Sequence, residues 1–326
     1  MTVELTMATG ESDRIRPIHT GAVTPKGIDL SPVTRPLPVL FRETVKSATY
    51  DIVEMSFATY IIWATRGDCP YVGLPVFPSR MFRHSAIYVN EDAAIGDPAA
   101  LVGKTVGIPA EYQTTAAVVV RGLLAHEYDV HPKDIDWVTA REERLPISLP
   151  PGVEKRVAPE GADFAAMVAR GDLDALVSPL TPETLGRGVE RLFPNFKAVE
   201  AAYYRRTGLF PIMHALLLRR EVYEENPWIA TSVYTAMEEA KALAIERLDT
   251  SAALPVTLPW LIDHLQETRA ILGENFWPYG FVPNRADIEM MCQYMDEQGL
   301  TPRKVAPADL FVDELRETGD RPPASG

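Results

Sequence analysis

The chain has 326 residues, 46% of them hydrophobic and 24% charged, and a formal net charge of −13. Such proportions belong to a globular protein with enough length to bury a core in one large or two modest domains, and they exclude a disordered or collagen-like chain. So negative a chain, with no block of Lys or Arg, is expected to take neither nucleic acid nor an anionic membrane as partner, and an anionic ligand would need cations gathered locally. The N-terminus, "MTVELTMATGESDR", lacks the basic start and apolar middle of a secretory leader and reads as a strand almost at once. With no run near the ~18 apolar residues of a membrane span, and with Cys69 and Cys292 far apart in sequence, the expected location is cytoplasmic.

In chain order, "VELTMAT", "GIDLSPV" and "YDIVEMS" read as strands, and "FATYIIWATRG" as a helix closing on Gly67. The segment "LPVFPSRMFRHSAIYVN" then sets Arg80, Arg83 and His84 directly before an apolar, strand-like run. A second block opens with the strand "KTVGI". In "EYQTTAAVVVRGLLAHEY" Ala116, Val119, Val120, Leu123 and Leu124 recur at helical spacing. The proline-rich "RLPISLPPGVEKRVAPEG" reads as a surface loop, "ADFAAMVARG" as a helix with a glycine stop, and "DLDALVSP" as a strand. After the apolar "LFPIMHALLLRREV" the chain is mostly helical. In "NPWIATSVYTAMEEAKALAIERL" Asn226 is the expected N-cap, Pro227 the first helical residue, and Ile229, Val233, Met237, Ala240 and Ala244 the buried face. The tail "GDRPPASG" is expected to fray.

Two α/β blocks followed by a helical return predict two lobes with a cleft between them. Residues 1–88 and 215–326 form the first lobe and residues 89–214 the second. "FRHSAIYV" and "LFPIMHALLLRREV" are the crossings, laid side by side as a hinge with His84 and His214 at the cleft floor.

Several groups could serve chemistry there. Ser56 stands where a strand becomes a helix, and Gln113, Thr114 and Thr115 do so in the second block. Each is either a plain helix cap or part of an anion site built from free backbone N–H groups. Arg42, Arg80, Arg83, Arg205 and Arg206 flank element ends, and a guanidinium can hold a carboxylate through two parallel hydrogen bonds. Phe77, Phe82 and Ile87 around Arg80 and Arg83 imply burial, which a charge tolerates only with a partner. His19, His84 and His214 are either satisfied core imidazoles or proton carriers. His126 and His131 lack the spacing of a zinc pair. No GxGxxG, GxxxxGK[ST] or GxSxG occurs, so nucleotide cofactors and acyl-serine chemistry have no support.

"YDIVEMSFATYI", "LPVFPSRMFRHSAIYVN", "GKTVGIPAEYQTTAAVVVRGLL", "AAYYRRTGLFPIMHALLLRREVYEENPW" and "NFWPYG" together resemble the 4,5-dihydroxyphthalate decarboxylase family, over about Leu37 to Leu310. Thr114 and the stretch "VTAREERLP" depart from the family pattern. The resemblance implies a two-lobed α/β fold like that of the periplasmic binding proteins (type II), with two hinge crossings. It also implies a carboxy-lyase that converts 4,5-dihydroxyphthalate to 3,4-dihydroxybenzoate and CO2, in aromatic compound degradation, without an organic cofactor. On that reading Arg80 and Arg83 clamp one carboxylate, helped by Arg42, Gln113, Thr114 and the helix ends at Ser56 and Thr115. His84 or His214 protonates the ring, Glu54 or His19 takes the phenolic proton, and Phe82 lines the wall. A divalent ion on Glu54, Asp51 and Glu111 and assembly into a homo-oligomer are both left open. The alternative is a solute-binding protein that captures an aromatic carboxylate without chemistry.

Overall fold

Two mixed sheets carry the chain in the computed structural model, which describes residues 2–250 and 252–319. The expectation for the tail beyond Gly319 lies outside the described residues. The first sheet has the order β2-β1-β3-β11-β4 and joins β1 (Val3–Thr9), β2 (Ile28–Thr34), β3 (Ile52–Ser56) and β4 (Tyr71–Arg80) to the late strand β11 (Ile212–Arg219). Strand β1 is parallel to β2 and β3, whereas β11 runs antiparallel to both neighbours. The second sheet has the order β10-β5-β9-β6-β7-β8, from β5 (Ile87–Asn90), β6 (Thr105–Ile108), β7 (Asp136–Thr139), β8 (Lys155–Val157), β9 (Ala175–Val177) and β10 (Val189–Arg191). Its β6, β7, β8 and β9 are parallel and β5 is antiparallel.

Burial explains which segments became which strands. All five residues of β3 are buried, as a central strand covered on both faces requires. Leu216, Leu217 and Leu218 of β11 are fully buried, each worth about 1.5–3 kcal/mol of apolar transfer. Strand β4 escapes sequence reading because Pro75 and Pro78 interrupt it. It lies at the sheet edge, where a missing N–H costs least. The loop expected over "RLPISLPPGVEKRVAPEG" is a loop except for β8, a three-residue edge strand against β7.

Helices α1 (Arg16–His19), α2 (Leu37–Ser47) and α3 (Phe57–Arg66) belong to the first lobe, and α3 ends on Gly67 at φ 81°. Helices α4 (Thr115–Tyr128), α5 (Phe164–Ala169) and α6 (Phe196–Thr207) follow. Then come α7 (Arg220–Glu225), α8 (Trp228–Leu248), α9 (Leu261–Leu272) and α10 (Arg285–Glu297). Helix α8 buries all five residues of the expected face. It begins one residue later than expected: Pro227 already has helical angles (φ −57°, ψ −31°) outside the regular helix, and no side-chain cap is made there.

The crossings do run side by side. Arg80 pairs with Ile212, and the Met81 N–H donates to the Pro211 carbonyl at 3.0 Å. Before the strand β5 the first crossing makes a short turn of 3₁₀ helix at His84–Ala86. Cys69 and Cys292 are both free and buried. Among the described residues no helix is long and apolar enough to cross a membrane.

Candidate active site

Because β1, β2 and β3 run parallel and β11 starts beside the end of β3, the residues Thr9, Thr34, Ser56 and His214 share one edge of the first sheet. His214 pairs with Ser56 and Leu216 with Glu54, so the side chains of Glu54, Ser56 and His214 lie on one face. Glu54 is only 3% exposed, and a charge so buried needs partners. It has two: Oε1 lies 2.7 Å from His214 Nδ1, and Oε2 accepts from the Gly10 N–H at 2.9 Å. A carboxylate can only accept, so Nδ1 carries the hydrogen and Nε2 is left as the working nitrogen. No hydrogen bond engages Nε2 among the described residues, and the ring packs edge-on against Phe41 of α2 at 5.0 Å.

Neither expected helix cap acts as one. Ser56 and Thr114 make no side-chain cap bond. Instead Thr115, the first residue of α4, crosses to the start of α3: its Oγ1 accepts from the Ala58 N–H at 3.1 Å and lies 2.9 Å from Ser56 Oγ. Two helix N-termini, one from each block, therefore face each other beside His214.

The second block adds a group that sequence reading passed over. In the loop after β7, Glu143 accepts from the backbone N–H groups of Tyr112 and Gln113 and from the Gln113 amide. This folds the loop onto the start of α4 and carries Arg144 inward. Arg144 Nη2 donates to Glu111 Oε2 at 2.8 Å, with side chains 7% and 3% exposed. Its guanidinium carbon stands 5.7 Å from the Phe41 ring centre, so Phe41 touches both Arg144 and His214. Among the described residues Nε and Nη1 of Arg144 are buried without an acceptor. The only hint in the sequence was that "VTAREERLP" departs from the family pattern.

Other expected residues lie elsewhere. Arg80 is 5% exposed, but its guanidinium is spent on Asp287, Asn284 and the Phe210 carbonyl, a structural tie between the hinge and α10. Arg83 faces Met213 Sδ and Met81 Sδ. Met213 and His214 are neighbours on a strand and point to opposite faces, which takes Arg83 away from the Glu54–His214 side. Burial pulls the Arg83 guanidinium down to about 10. His84 is walled in by Tyr128, Phe193 and Tyr203, with Nδ1 unpartnered, and burial lowers its imidazole to about 4. It is a neutral core residue and not part of the cleft floor. Phe82 stacks on Phe210 at 4.6 Å in the hinge, and Arg42 is an exposed residue of α2.

His19 reaches the right edge, but both its nitrogens are engaged by Thr9 and Thr34 hydroxyls at 2.9 and 3.0 Å. Burial lowers its pKa against the pull of Glu11. Asp51 sits at the opposite end of β3, where it accepts from Thr6. The carboxylates Glu54, Asp51 and Glu111 are therefore not gathered. Among the described residues the group of potential metal ligands is the exposed Asp263, His264 and Glu267 on α9. A cavity of about 760 Å³ opens on the second lobe between Pro109, Arg141, Asp163 and Ser178. None of the groups above lines it, and Arg141, its one cation, is exposed.

Helix α4 welds the two blocks. Gly122 lies so close to Tyr294 of α10 that a Cβ would overlap the ring. Gln298 donates to the Val118 carbonyl at 3.0 Å and accepts from Arg121 Nε at 2.8 Å. His126 meets Glu297 at 2.6 Å. One buried apolar cluster runs from Val53 and Leu217 of the first sheet to Val106 and Val177 of the second.

Two sheets joined by paired crossings, with polar groups meeting at strand ends between them, define the class of two-lobed binding-protein folds. The aliphatic sulphonate binding protein SsuA of Escherichia coli superposes with a TM-score of 0.57 at 15% identity, covering 96% of this chain and 92% of that one. The desulfurization enzyme DSZB gives 0.52 at 15% identity, over 96% and 97%. No protein-family model matches the chain. A 4,5-dihydroxyphthalate decarboxylase of Comamonas testosteroni is 38% identical over 318 residues, 95% of this chain and 96% of its own length. One of Pseudomonas putida is 35% identical over 212 residues, 62% and 82%. The chain belongs to the 4,5-dihydroxyphthalate decarboxylase family.

Proposed function

We propose that the protein is a non-oxidative carboxy-lyase that converts 4,5-dihydroxyphthalate to 3,4-dihydroxybenzoate and CO2. The observation that carries the site is the Glu54–His214 pair, with Nε2 free beside the two helix starts. A hydroxyl para to the departing carboxylate, after losing its proton to solvent water, pushes electrons into the ring. Protonated His214 gives a proton through Nε2 to the carbon bearing that carboxylate. The C–C bond then breaks, its electron pair restores the aromatic ring, and the phenol recovers a proton. Net, one proton replaces one carboxylate, and the ring is its own electron sink, so we propose that no organic cofactor takes part. General acid catalysis of this kind typically contributes ~10²–10⁴-fold.

Glu54 accordingly orients His214 and does not take the phenolic proton, because both its oxygens are occupied. Ser56 and Thr115 hold the α3 and α4 starts in place. The lobe division is proposed at the crossings, with residues 81–211 as the second lobe, since β11 begins at Ile212 within the first sheet. Capture without chemistry, as by a transport binding protein, is the weaker reading. Such a protein needs no proton carrier, whereas here the Glu54–His214 pair leaves Nε2 open at the site.

Incubation of the pure protein with 4,5-dihydroxyphthalate, with substrate and product separated chromatographically, tests the proposal. Stoichiometric appearance of 3,4-dihydroxybenzoate is expected. Binding without product would return the protein to the solute-binding class.

A further inference from the structure

We propose that Arg144 receives a carboxylate of the substrate and so makes the site selective for an aromatic acid over a neutral ring. The inference rests on the site described above and adds to it the anion clamp that Arg80 and Arg83 do not supply. A guanidinium has five N–H donors, and one of Arg144's is used by Glu111 Oε2. Nε and Nη1 are buried with no acceptor, in a side chain only 7% exposed. Buried polar groups are nearly always satisfied. Arg121 also keeps Nη1 and Nη2 without an acceptor, but its guanidinium lies over the Tyr112 ring at 3.5 Å. The open donors of Arg144 stand beside Phe41, which also meets His214, and there they point to an acceptor that arrives with the ligand.

The direction of approach follows from the neighbours. The Phe41 ring is near both the Arg144 guanidinium, at 5.7 Å, and the His214 ring, at 5.0 Å. A flat ring seated on Phe41 therefore brings one substituent to the guanidinium and a ring carbon toward the imidazole. Arg144 and Glu111 together are neutral, and an arriving carboxylate competes with Glu111 for a shared guanidinium. Selection consequently comes from satisfying in-plane N–H donors more than from net charge. Lysine, with one compact ammonium, cannot hold Glu111 and a second carboxylate in one plane. Neighbouring Lys155 is not a substitute, because it is already paired with Glu142 and Glu143.

The test uses the full chain, with phthalate as the anionic probe and catechol as the neutral one, both followed by calorimetry. In Arg144→Gln the Kd for phthalate is expected to rise at least tenfold while that for catechol changes less than twofold. Arg144→Lys should recover only part of the loss. If Arg144→Gln fails to fold because Glu111 is left alone, the double variant Arg144→Gln/Glu111→Gln removes the orphan carboxylate and carries the same expectation. Equal weakening of both probes, or unchanged phthalate binding, overturns the proposal. Turnover of 4,5-dihydroxyphthalate by the unmodified protein is read separately. Its absence would refute the decarboxylase while leaving the phthalate result to decide on Arg144.

Discussion

Glu54 and His214 are 160 residues apart in the chain and meet across β3 and β11, Oε1 to Nδ1 at 2.7 Å. His214→Asn removes the proton carrier, and kcat should fall by about 10²–10⁴-fold with phthalate affinity kept within a few-fold. Glu54→Gln leaves Nδ1 without its anionic acceptor and should lower kcat by less. Steady-state rates with a parallel phthalate titration check both. A His214→Asn enzyme of normal kcat would remove the assigned acid.

His84 makes the opposite case. Its imidazole is near 6.5 when unfolded and about 4 when folded, because burial disfavours the charged form. The folded state therefore keeps it neutral. Stability present above pH 6.5 is lost as pH falls toward 4, when the unfolded chain takes up a proton that the folded one refuses. The loss is about 3 kcal/mol over that window. His84→Phe should flatten this part of the profile in urea titrations at several pH values, and turnover at pH 7 should stay within a few-fold.

Arg80 and Asp287 form a buried pair with side chains 1% and 7% exposed. Removing one partner leaves the other charge buried and alone, so Asp287→Ala should cost about 3–5 kcal/mol in chemical denaturation. If Arg80 held substrate, phthalate would protect the protein less in Arg80→Lys than in the unmodified chain. Equal protection is expected.

Gly122 has no room for a methyl group against Tyr294. Gly122→Ala should destabilise by about 1–3 kcal/mol, the usual cost of overpacking, and should raise proteolysis between α4 and α10. A neutral effect would mean that the α4–α10 contact at Tyr294 yields without cost.

Periodicity and glycine stops made α3, the α8 face and most strands legible, because those elements announce themselves within a few residues. Strand β4 did not, since its prolines are acceptable only at an edge and edges are decided by what pairs with what. The family was also legible, through long stretches such as "YDIVEMSFATYI" and the histidine-bearing crossings.

Burial of Arg80 and Arg83 was correctly inferred from their apolar neighbours, yet their partners were not. Asp287 and Met213 lie 207 and 130 residues away. Likewise "HSAIYV" shows an imidazole beside a strand but not the aromatic walls that keep it neutral, and "AREERLP" shows four charges before Leu145 but not which of them turns inward.

Local composition thus determined the α/β class, the two lobes and the candidate polar groups, since each depends on residues near in sequence. Which cation is paired, which histidine is open and whether Arg144 keeps donors to offer depended on long-range contacts. Only the folded chain sets those, because a charge's role is fixed by the partner beside it in space.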